Sequence, residues 1–80
     1  MTEYATRTGT VRIGQLYRDA KRAEPRTVRV EAIAAPRVDY RGKKRCEITI
    51  AVLDAAGAVR KTLPIDAARL TGSNYVRVGQ

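Results

Sequence analysis

The 80 residues carry 16 Lys and Arg against 8 Asp and Glu, a formal net charge of +8 with a pI near 10.4. With no His, the commonest acid–base side chain near neutral pH is missing, and the single Cys46 can form no internal disulfide. A chain this short buries only about 60% of its unfolded surface, so it supports one thin core and no deep pocket between two layers.

Residues 1–9 are polar and patternless and are expected to be a flexible lead-in to a single domain over 10–80. The 8 Val and 5 Ile against 4 Leu favour strands, because branched side chains fit a pleated surface. Val11-Arg12-Ile13 alternates, Gly14 bends the chain, and Leu16-Tyr17-Arg18 continues as a second extended piece. Asp19 to Pro25 is charged and predicts at most one helical turn, ended by Pro25. Thr27 to Ala34 predicts a strand with Val28, Val30 and Ala32 on one face and Arg29 and Glu31 on the other. Pro36 then marks an edge or a bend.

A β-hairpin follows around Arg41-Gly42-Lys43. With those three residues as the loop, Tyr40 faces Lys44 and Val38 faces Cys46, and two opposite-charge pairs form, Asp39 with Arg45 and Arg37 with Glu47. Cys46, Ile48, Ile50 and Val52 make the inward stripe of the longest strand. Asp54 to Gly57 is a turn with positive φ at the glycine. The return strand, Ala58 to Leu63, is expected to pair Val59 with Val52, Thr62 with Thr49 and Leu63 with Ile48, and to end at Pro64. That register turns Lys61 inward, which requires a bulge or a snorkelling lysine. Asp66 caps a turn over Ala67 to Leu70, stopped at Gly72. A last strand, Asn74 to Val78, directs Val76 and Val78 inward. The fold class expected is all-β, a small five-stranded SH3-like barrel with one short helical turn before the last strand. An OB-like barrel is the alternative.

The run Val11-Arg-Ile-Gly-Gln-Leu-Tyr-Arg-Asp19, then Arg26-Thr-Val-Arg-Val30 and Tyr75-Val-Arg-Val78, resembles a group of short actinobacterial and actinophage proteins of unknown function. The resemblance covers about half the chain and implies a phage or actinobacterial origin; no functional residues carry over. Ser73-Asn-Tyr-Val76 is similar to the final turn of eukaryotic SH3 domains, without the aromatic residues that grip proline-rich ligands there. Gly14-Gln-Leu-Tyr17 with the Arg26–Val30 strand resembles the opening of MazF-type endoribonuclease toxins, which are longer and carry further helices.

Catalysis is not expected. Cys46 has no His to activate it and lies on an inward face, and no clustered ligands or phosphate-cradling loop suggest a metal or cofactor. The sharp signal is cationic. Arg41, Lys43 and Lys44 stand at a hairpin tip beside Tyr40, and Arg60 and Lys61 on the return strand are expected to extend the patch. Arg18, Lys21, Arg22 and Arg26 form a second basic cluster that reads as a solvated loop. The function expected is a non-catalytic module binding the backbone of DNA or RNA, with Tyr40 available for stacking on a base. The alternative is a phage accessory module docking on an acidic host protein. No apolar run reaches the ~20 residues of a membrane span, and a cytoplasmic location is expected.

Overall fold

The computed structural model describes residues 2–20 and 26–78. The chain is mostly β, with antiparallel sheets and one short helical turn near its end. It opens with β1 (Glu3–Ala5) and β2 (Thr10–Arg12), which pair antiparallel with Tyr4 opposite Val11. The segment expected to be a flexible lead-in thus contains a hairpin. Thr6 closes its turn: its N–H donates to the Gly9 carbonyl at 2.7 Å, and its Oγ1 accepts from the Thr8 and Gly9 amides, both at 3.2 Å. Tyr4 packs against the core from this ribbon.

The chain continues through β3 (Leu16–Asp19), β4 (Thr27–Ile33), β5 (Arg37–Val38), β6 (Lys44–Arg45), β7 (Glu47–Leu53), β8 (Val59–Asp66), α1 (Ala67–Leu70) and β9 (Tyr75–Val78). Five of these strands form one sheet in the order β8-β7-β4-β3-β9, while β5 and β6 form a separate two-stranded ribbon. The ladder ends at β8 and β9 without closing into a barrel. The helical turn expected over Asp19–Pro25 falls mostly on residues 21–25, outside the described residues, and Asp19 itself ends β3.

The inward stripe of β7 is as expected, with Cys46 just before it and Ile48, Ile50 and Val52 within it all buried. On β4 the alternation breaks. Val28 and Val30 are buried, but a bulge between Val30 and Ala32 turns Ile33 inward and leaves Ala32 exposed. The larger apolar side chain takes the core position, and the bulge is the local distortion that permits it.

The β7–β8 register differs from the expected one by two residues from Ile48 to Val52: Ile48 faces Ile65, Ile50 faces Leu63 and Val52 faces Lys61. A bulge between Val52 and Leu53 brings Val59 opposite Leu53. Lys61 is exposed. β8 also runs through Pro64 to Asp66. It can do so because β8 is an edge, where a missing N–H need not break a ladder. On β9, Val76 and Val78 are 45% and 37% exposed, contrary to the inward placement expected. Their partners on β3 are Arg18 and Leu16, the outward-facing residues of that strand, while Tyr75 and Arg77 lie across from buried Asp19 and Tyr17.

Asp66 caps α1 as expected, its Oδ1 accepting from the Ala68 N–H at 2.9 Å. The turn buries Ala67 and Leu70. This plants the end of β8 next to the base of the β5–β6 ribbon, where Ala67 N–H donates to the Cys46 carbonyl at 2.9 Å.

Candidate functional site

The β5–β6 ribbon projects from the end of the sheet where β4 leaves and β7 enters. Its register is Arg37 opposite Arg45 and Val38 opposite Lys44, closed by Asp39 N–H donating to the Lys43 carbonyl at 2.9 Å. The loop is therefore Tyr40-Arg41-Gly42, one residue earlier than expected. Asp39 decides this. Its Oδ1 accepts from the Arg41 and Lys43 amides, both at 2.9 Å, while Gly42 takes φ of 78° and donates its N–H to the Asp39 carbonyl at 3.0 Å. A carboxylate that satisfies two turn amides fixes the loop more firmly than an exposed ion pair does.

The expected pair between Arg37 and Glu47 is consequently not formed, since Glu47 lies opposite Asp66 instead. The expected pair between Asp39 and Arg45 is present at 3.1 Å, and Arg45 also reaches Asp66 at 3.3 Å. The Lys43 amide foremost, then Arg45 and the Arg41 amide, hold the Asp39 carboxyl below its ordinary range. Among the described residues, Arg37, Arg41, Lys43 and Lys44 have no carboxylate within ion-pair distance.

Tyr40 stands at the tip, 90% exposed. The Arg41 guanidinium lies over its ring, 5.4 Å from the centroid, and Arg41 Nε donates to the phenol oxygen at 3.2 Å. Lys44 turns the other way, its ammonium 5.9 Å from the centroid of Tyr4. That contact joins the base of the ribbon to β1. Between the two hairpins runs a groove of about 670 Å³, walled by Tyr4, Arg7, Thr8, Lys43 and Lys44 and floored by Ala67, Ala68 and Gly72 of the helical turn. Thr6 Oγ1 and Thr71 Oγ1, 2.9 Å apart, tie the first hairpin to the end of α1. Arg7 is thus held in the β1–β2 turn, on the opposite bank from Lys43 and Lys44.

Tyr4 and Arg7 were missed by the sequence reading because the first strand is only three residues long. The available signal was Thr6-Arg7-Thr8-Gly9, a turn cluster followed at once by an alternating strand. Arg60 and Lys61 do not join the tip. Lys61 faces Val52, and the rise of β-structure from Cys46 to Val52 is about 20 Å, so these cations sit at the opposite end of the sheet. Of the second basic cluster, Lys21 and Arg22 lie outside the described residues. Arg26 approaches Asp19 at 4.0 Å, and Arg18 is exposed.

Cys46 is buried and donates its thiol to the Ala34 carbonyl at 3.4 Å; burial, with a smaller push from Asp66, raises its pKa. Among the described residues no group of three His, Cys, Asp or Glu side chains is placed to hold a metal ion. No helix there is long and apolar enough to cross a membrane. No protein-family model, curated protein or solved structure matches the chain.

Proposed function

We propose that this protein is a non-catalytic module that binds the phosphate backbone of nucleic acid through the β5–β6 ribbon. The observation that carries the reading is the ribbon itself: Arg41 over the exposed Tyr40, and Lys43 and Lys44 further along toward Tyr4, have no carboxylate within ion-pair distance among the described residues, in a chain of net charge +8. Cations so placed release counterions from a polyanion, which supplies affinity without base specificity. Arg7, on the facing hairpin, adds a fourth contact. Arg45 adds none, because Asp39 and Asp66 already hold it.

An SH3-like architecture fits the chain. Its five-stranded sheet is a meander through β3, β4, β7 and β8, with β9 returning beside β3 after the helical turn. In that arrangement the β5–β6 ribbon is an elaborated loop between the second and third strands of the meander, and such loops are where a small scaffold carries its binding residues.

The test is binding of a labelled oligonucleotide at low salt by the wild type and by a variant with Arg41, Lys43 and Lys44 all replaced by Ser. Loss of binding in the folded variant supports the reading; full retention moves the site away from the tip. Docking on an acidic protein is the second reading, favoured by the exposed Val76 and Val78 on edge strand β9. Recovery of one stoichiometric partner from a nuclease-treated lysate would favour it. Loss of all partners under nuclease favours nucleic acid.

A further inference from the structure

We propose that the groove between the two hairpins seats single-stranded nucleic acid, with one base stacked on Tyr40 and the adjoining nucleotide lying between Tyr4, Arg7, Lys43 and Lys44. This deepens the nucleic-acid reading and rests on it. Backbone contact alone gives no use for an aromatic ring at the tip, since a duplex hides the faces of its bases. Tyr40 is one of 4 Tyr in a chain without Phe or Trp, and it is left 90% exposed. Arg41 lies over the ring at 5.4 Å and bonds its hydroxyl, while the ring as a whole stays open to solvent. An exposed aromatic face beside a guanidinium is a platform for an unstacked base.

The groove supplies the continuation. Its volume of about 670 Å³ lies within the range of pockets that enclose small organic ligands. Arg7 stands on one bank and Lys43 and Lys44 on the other, so a backbone threading between them meets cations on both sides. Among the described residues Asp66 is the one carboxylate in the lining, and it is engaged by Arg45 at 3.3 Å and by the Ala68 amide at 2.9 Å. Tyr4 packs against the core behind and lies 5.9 Å from the Lys44 ammonium, so it forms a wall of the groove.

Labelled oligothymidylate, oligouridylate and a duplex of equal length are compared at low salt by fluorescence anisotropy, with wild type, Tyr40→Ala, Tyr40→Phe and Arg7→Ala. Circular dichroism confirms that each variant is folded. The single strands are expected to bind at least about tenfold more tightly than the duplex. Tyr40→Ala is expected to weaken single-strand binding about five- to 150-fold while leaving the duplex nearly unchanged, and Tyr40→Phe to restore most of the loss. Arg7→Ala should flatten the single-strand salt slope by about 0.7. The two single-strand probes separate DNA from RNA as the preferred source of the same chemistry. Equal or tighter duplex binding, or an equal loss on both substrates in Tyr40→Ala, overturns the single-strand seat but leaves the backbone reading standing. Binding to none of the probes overturns both.

Discussion

The carboxylates of Asp39 and Asp54 do the same work at two turns. Asp54 Oδ1 accepts from the Ala56 and Ala58 amides at 2.9 Å, and Gly57 takes φ of 86°, repeating the geometry of Asp39 and Gly42. Because the Lys43 amide and its companions favour the ionised form, Asp39 has a folded-state pKa below its ordinary value of 3.8. Its contribution is therefore complete above that value and is lost as pH falls through the lower, folded one. A carboxyl-carbon NMR titration should give Asp39 a midpoint below 3.8, with the Arg41 and Lys43 amides shifting together with it; a midpoint at or above 3.8 contradicts the capped tip. Gly42→Ala forces a side chain into left-handed backbone and should cost about 1–2 kcal/mol of local stability, read as faster amide exchange at the tip. Cys46 behaves differently, because burial keeps its thiol protonated. It should resist alkylation in buffer and react once the protein is unfolded in urea; rapid reaction in buffer would place it at the surface.

At the scale of elements, β7 was legible because its inward residues alternate without interruption and all are apolar. β4 was legible in extent but not in its facing. Alternation put Ala32 in the core, whereas burial of Ile33 gains more and a bulge makes it possible. Ile33→Ala should therefore destabilise by about 2–4 kcal/mol in urea denaturation, while Ala32→Ser changes stability by less than about 0.5 kcal/mol. Similar costs at the two positions would mean the bulge is not where the structure puts it. The β5–β6 ribbon is legible from its charge and its glycine, yet its expected register rests on keeping Val38, Cys46 and Ile48 on one face. The Asp-x-x-Gly pattern that closes the loop is the better guide, and the same pattern marks the turn at Asp54. Pro64 misled for a topological reason: whether a strand ends at proline depends on whether it lies at an edge, and edge position is set by residues far away in the chain.

The whole molecule is 40 Å long and 23 by 22 Å across, with Arg41, Lys43 and Lys44 at one end of the sheet and Arg60 and Lys61 toward the other. Charge count alone could not reveal that division. Arg60 and Lys61 are close to the tip in sequence pattern but belong to the far end, and Arg7, remote in sequence, belongs to the near one. Replacing Arg60 and Lys61 by Ser should leave nucleic-acid affinity within about threefold of wild type, apart from the general loss of two positive charges. An effect as large as that of the Arg41, Lys43 and Lys44 triple change would make bulk charge, and not the tip, the determinant. Salt dependence separates these most sharply. If roughly four phosphates are neutralised by Arg7, Arg41, Lys43 and Lys44, log affinity for a single strand falls against log salt with a slope near −3, about a sixtyfold loss between 50 and 200 mM. The triple variant should retain a slope near −1 at much weaker affinity. A wild-type slope indistinguishable from that of the triple variant would contradict the assignment of the cationic ribbon as the binding surface.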